Sequence, residues 1–223
     1  PKNLKNYLKD LNITSQKTLM ELFDATVGRS TVLHPYGGKK QYNQSQAMVS
    51  LIPYTDEYKT KTASIMSYGF NPYLSEQSQF LGGYYAVIES IAKLVATGAD
   101  LNKIRLTFQE FYERLTDEQS WSKPLKSLLG AFIPSKFFNA PPIGGKDSMS
   151  GTFENICVPP TLISFAVTTG DLENITSQDF KGKGRIGLVN IEYDENGMLD
   201  LNELKGNMEK IHKDIVDGNI ITA

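Results

Sequence analysis

Hydrophobic positions recur at two different periods along this chain, and the switches between them predict interleaved helices and strands. Leu4, Tyr7, Leu8 and Leu11 fall at helical spacing and Thr18 to Phe23 makes a second short apolar stretch, so residues 1–25 are expected to form a small helical lead-in. Ala47 to Ile52, Thr62 to Met66, Ile104 to Phe108 and Thr161 to Val167 read as strands. Tyr84 to Ala96 is apolar on nearly every side, broken chiefly by Glu89, Ser90 and Lys93, and it ends at Thr97-Gly98 as a glycine-capped helix should. Glu110 to Leu115 and Pro124 to Phe132 read as helical. Pro35, Gly37 and Gly38 mark a loop between Thr31 and Lys40, and Ser67 to Gly83 reads as a long polar and aromatic loop, a kind that is more often functional than idle.

After Gly170 the character changes. A polar linker and the KGKG run at Lys181 to Gly184 precede a strand-like stretch, Ile186 to Tyr193, then a turn at Asp194 to Gly197. An amphipathic helix follows, with Leu201, Leu204, Met208, Ile211 and Ile215 on one face. One strand and one helix cannot make a core by themselves. The expected organisation is therefore a lead-in at 1–25, a main α/β domain at 26–169 and the start of a second domain at 170–223.

Composition narrows the function. With 23 Lys and Arg against 25 Asp and Glu in 223 residues, the formal charge is -2, not the basic excess of a nucleic-acid binder. No apolar run approaches the ~20 residues that span a bilayer, and Pro1 to Asp10 lacks the pattern of a signal peptide. A soluble, cytoplasmic protein is expected, and the missing initial Met suggests a fragment. A single cysteine and two histidines are too few for a disulfide or a zinc site.

The most chemical-looking stretch is PPIGGKDSMSG, Pro141 to Gly151. Gly144 and Gly145 let backbone amides approach an anion, Lys146 can neutralise phosphate, Asp147 can hold Mg²⁺, and Ser148 and Ser150 can bond phosphate oxygens. It is not a Walker A loop, because Ala140 and Asp147 stand where Gly and Ser or Thr are required; an ordinary glycine turn is the alternative reading. Glu89 and Lys93 share a helix face, as a simple ion pair or as part of a ligand or metal site. His34 and His212 read as solvated, and Cys157, flanked by Ile156 and Val158, as a buried thiol. Tyr68, Phe70 and Tyr73 read as core aromatics or as a pocket lining.

Three longer segments carry a resemblance. FDATVGRSTVLHPYGGK (Phe23 to Lys39), SYGFNPYLSEQSQFLGGYYAVIESIAKLVATGAD (Ser67 to Asp100) and GGKDSMSGTFENICVPPTLISFAV (Gly144 to Val167) closely resemble phosphoribosylformylglycinamidine synthase in its long, glutamine-dependent form. That family's synthase portion holds two copies of a unit similar to aminoimidazole ribonucleotide synthetase. The resemblance implies that this chain is the N-terminal half of the second copy plus the first strand and helix of its C-terminal half.

The implied fold is α/β, of the α+β type, with a curved mixed sheet of about four strands covered by helices on one face. The implied activity of the whole enzyme is that of an ATP- and Mg²⁺-dependent ligase of purine biosynthesis, converting formylglycinamide ribonucleotide to its amidine with glutamine as nitrogen donor. This fragment would be inactive alone, or a noncatalytic scaffold completing the barrel that two such halves share. Its partners would be the first copy and the glutaminase domain of the same polypeptide, with a homodimer of the fragment as a substitute. The resemblance puts phosphate and substrate contacts at Gly145, Lys146, Ser148 and Ser150, and metal at Asp147 and Glu89. It also implies an auxiliary metal site in which Gln46 and Lys93 replace an Asp and an Asn, so that metal there should be scarce and the Lys93 ammonium should take over its charge.

Overall fold

The computed structural model describes residues 3–11, 13–22, 28, 30–53, 60–195 and 197–223. Two short exposed helices, α1 (Leu4–Tyr7) and α2 (Lys17–Leu22), lead in without burying a residue. Phe23 to Val27, part of the first resembling segment, lie outside the described residues.

The main body is a six-stranded sheet. Its strands are β1 (Thr31–Leu33), β4 (Ala47–Leu51), β5 (Thr62–Gly69), β6 (Arg105–Phe111), β7 (Pro142–Ser148) and β10 (Thr161–Asp171), arranged β1-β4-β5-β10-β6-β7. Every neighbouring pair is antiparallel except β6 and β7, which run parallel because a helix crosses between them. Two small hairpins, β2 (Tyr36–Gly37) with β3 (Asn43–Gln44) and β8 (Thr152–Phe153) with β9 (Ile156–Cys157), stand apart from it.

Alternation gives the sheet two unlike faces. Ala63 and Ile65 of β5 and Leu162 and Ala166 of β10 are buried. Against that side pack α3 (Pro72–Gln77), α4 (Gln79–Ala96) and α5 (Glu118–Phe137). Val87, Ile91, Leu94 and Val95 of α4 carry the core. The two long helices approach until a Cβ on Gly83 would lie 2.1 Å from the Ser127 carbonyl and one on Gly130 1.9 Å from that of Phe80. On the opposite face Met48 and Tyr68 are exposed, beside a pocket that Met20 of α2, Pro35 and Gln44 also line.

Several expectations are corrected. Ser67 to Gly83 is not a loop: β5 runs through Gly69, Asn71 caps α3 with Pro72 in its first turn, and Ser78 caps α4. Glu110 to Leu115 is not helical, since Glu110 and Phe111 end β6. Ile186 to Tyr193 forms no ladder beyond a single bridge from Tyr193 to Leu199, for want of a neighbouring strand. The predicted helix is α6 (Leu201–Val216), which buries Leu204, Met208 and Ile215 and packs on α4 and on the 3₁₀ turn Leu101–Lys103. Among the described residues no helix is long and apolar enough to cross a membrane.

Candidate functional site at one end of the sheet

The polar residues singled out above gather where β5, β6 and β7 end and β4 and β10 begin. Ladder partners fix the arrangement: Gly69 faces Ser164, Ser164 faces Phe108, and Phe108 faces Gly145. Gly69 and Gly145 are therefore three strand spacings apart, about 14 Å.

At one edge lies β7, which is where the GGKDS stretch belongs: an exposed edge strand rather than a turn. The register slips by one residue between Leu106 and Thr107, leaving Ile143 extra, and from Gly144 onward it is regular. Strand alternation then divides the candidate residues. Lys146 faces the open side, its ammonium 4.7 Å from the centre of the Phe111 ring. Ser148, next to it in parity, pairs with Phe111, and its carbonyl accepts the Tyr112 amide at 2.8 Å. Gly145 and Asp147 have the opposite parity, facing Phe108 and Glu110 on the helix side. Ser150 lies past the strand, exposed, with its carbonyl accepting from Thr152 N at 2.8 Å.

Glu110 is the residue that the sequence reading missed. It is 2% exposed, and its Oε1 has no hydrogen-bond partner. Burial first, and the Asp147 charge second, push its carboxyl up to about 7. Tyr112, next on the same face, is fully buried, with its hydroxyl near Ser127. The signal was the alternation Leu106, Phe108, Glu110, Tyr112, which puts an acid on an apolar strand face.

At the other side of this sheet end, α4 crosses β5. A Cβ on Gly69 would stand 2.9 Å from the Glu89 Cβ, so glycine is what lets the helix lie this close. Each oxygen of the Glu89 carboxylate has a partner: Oε1 is 2.7 Å from Lys93 Nζ, and Oε2 accepts the Phe70 amide at 3.0 Å. Lys93 also donates to the Tyr68 carbonyl at 3.0 Å, and its ammonium lies 4.7 Å from the centre of the Tyr68 ring. A cation already sits on this carboxylate, so the donor set does not suit a divalent metal. Gln46 joins Lys93 in lining a cavity of about 300 Å³ with Leu33, Ala92, Thr97 and Gln178. Glu89 and Asp147 thus belong to separate places, and among the described residues no three His, Cys, Asp or Glu side chains converge on one point.

Two further expectations change. Cys157 is exposed in the β8–β9 hairpin, because that hairpin stands off the sheet instead of packing on it. His212 is half-buried rather than fully solvated, and its Nδ1 is buried without a hydrogen-bond partner. His34 is exposed, as expected.

No family model matches the chain. The curated synthase subunit PurL of Methanobrevibacter smithii is 26% identical over 209 residues, 93% of this chain and 27% of that protein. The chain resembles PurL of phosphoribosylformylglycinamidine synthase. Two solved structures of Thermotoga maritima PurL, one complexed with ADP and one with FGAR, superpose with TM-scores of 0.63 and 0.62 over 92% of this chain at 20% identity. A chain of the T. maritima PurLQS structure gives 0.57 over 73% of this chain at 21% identity. The chain spans about a quarter of the length of its curated PurL relative and about 30% of the T. maritima PurL chains. Its α/β fold, a mixed sheet backed by helices, is the fold of that part of PurL.

Proposed function

We propose that this chain is part of an ATP-dependent ligase that converts formylglycinamide ribonucleotide, with glutamine as nitrogen donor, to the amidine. The observation that carries this reading is the similarity to PurL along 93% of the chain. T. maritima PurL has been solved with ADP and with FGAR, which supports a nucleotide and a ribonucleotide as ligands of the whole enzyme. When bound, ATP supplies the phosphoryl group that activates the amide oxygen, and Mg²⁺ offsets the phosphate charge.

This chain's own contribution is binding and orientation. Lys146, on the open face, would neutralise phosphate, and the Gly145 amide would approach it without a side chain in the way. Ser148 and Ser150 would hydrogen-bond substrate phosphate or nucleotide. Asp147 fits a Mg²⁺ ligand: it is exposed at the sheet edge, beside a buried carboxyl that lacks a partner. Glu89 does not fit, since Lys93 occupies it. Among the described residues no nucleophile and acid–base set converges, and the isolated chain would be inactive alone. The first synthetase-like copy and the glutaminase are its expected partners, in a cytoplasmic enzyme. In this reading 1–25 is a helical lead-in, 26–169 the synthetase-like half, although β10 runs on to Asp171, and 170–223 the start of the next half, with α6 as its first helix.

A second reading, a scaffold that only completes the barrel, draws on the Lys93–Glu89 pair, which suggests that ligand chemistry has been lost at the auxiliary site. Calorimetric titration with ADP and ATP, with and without Mg²⁺, separates the two. Saturable, Mg²⁺-dependent binding that Lys146→Ala abolishes supports the ligase reading; absence of binding supports the scaffold.

A further inference from the structure

We propose that Glu110 and Asp147 together form a divalent-cation site at the β6–β7 edge, with Glu110 as its buried ligand. The two residues are direct partners in the parallel ladder, and ladder partners project from the same face. Asp147 is exposed and Glu110 is buried beneath it, at 2% exposure. The pair thus offers one carboxylate to solvent and one to the interior.

Two neighbouring carboxylates repel unless a proton or a cation joins them, and among the described residues neither Glu110 nor Asp147 is in an ion pair. Lys146 lies on the opposite face, over Phe111. Lys123, on α5, is paired with Glu113, and Arg114, just past the end of β6, is exposed. Glu110 Oε1 is buried without a hydrogen-bond partner, which costs free energy unless another group completes it. Hard oxygen donors in this number suit Mg²⁺, which takes one or two carboxylates and fills its remaining positions with water or substrate phosphate. A site open on its Asp147 side leaves those positions free.

This inference rests on the ligase reading for the phosphate that would share the ion, not for the ion itself, and its test separates the two. Free Mn²⁺ is followed by electron paramagnetic resonance as the chain is titrated, with Mn²⁺ alone and with Mn²⁺ plus ADP. The same titrations are run on Glu110→Gln, Asp147→Asn and, as a control, Glu89→Gln. Circular dichroism melts establish that each variant is folded. The folded chain is expected to bind one Mn²⁺ that Mg²⁺ displaces. Either substitution at the pair should weaken it at least tenfold, since even outer-shell partners of a metal are typically worth roughly 10–100-fold in affinity. Glu89→Gln should bind as the unaltered chain does. No Mn²⁺ bound without ADP at millimolar concentration, or unchanged affinity in Glu110→Gln, overturns the cation site and leaves the ligase reading standing. Mn²⁺ binding with no ADP binding would support the cation site and count against the ligase reading.

Discussion

Burial and the Asp147 charge push the Glu110 carboxyl up to about 7 from its ordinary 4.5, so without a bound cation this residue makes the fold pH-sensitive. The folded state keeps the proton that the unfolded chain releases. Stability is then fully present below the unfolded value, falls as pH rises between the two values, and levels off above the folded one. The loss amounts to about 3 kcal/mol. Urea midpoints in a metal-free buffer should therefore drop between pH 5 and pH 8. Glu110→Gln should flatten the profile and be the more stable protein at pH 8; an unchanged slope in that variant would contradict the assignment. Glu110 was hidden in the sequence because Glu-Phe-Tyr-Glu also satisfies a helical pattern, and only the ladder with β10 and β7 fixes its parity. Lys93 was more legible, because its spacing from Glu89 already placed both on one helix face.

At the scale of elements, α4 and α5 are set by where glycine permits contact. A methyl group at Gly83 or Gly130 collides with the Ser127 or Phe80 carbonyl of the facing helix, and backbone cannot step aside cheaply. Gly83→Ala and Gly130→Ala should each cost about 1–3 kcal/mol. Gly206→Ala, in α6 with nothing near its absent side chain, should gain about 0.5–1 kcal/mol from helix propensity. Thermal melts of the three variants check the contrast; similar shifts in all three would refute it. Helix and strand periods were readable wherever packing is one-sided, as in α6 and β10. The failures have physical causes. The Ser67 to Gly83 stretch hid two capping residues, Asn71 and Ser78, among other polar groups. The GGKDS stretch has the composition of a turn and becomes a strand only by pairing with β6, a tertiary contact that local propensity does not encode.

For the whole molecule, the open sheet face is one apolar surface, and the outer side of α5, with Trp121, Leu125, Leu129 and Phe132 exposed, is another. Met48 and Tyr68 are exposed on the sheet face, and the rings of Tyr68 and Phe165 lie 6.4 Å apart. An apolar face of this kind invites association, and in the ligase reading it meets the first synthetase-like copy. The isolated chain should substitute a second molecule of itself, giving a dimer in light scattering at micromolar concentration that Met48→Lys with Phe165→Lys converts to monomer. A monomer before substitution would argue against that partner. Both barrel halves would place their polar sheet ends at a shared cleft, which makes the location of nucleotide the central question. Hydrogen–deuterium exchange with and without Mg²⁺ and ADP answers it most directly. The account predicts slowed exchange at residues 144–150 and at the end of β6. Protection confined to the cavity between Gln46 and Lys93, with residues 144–150 unchanged, would contradict it.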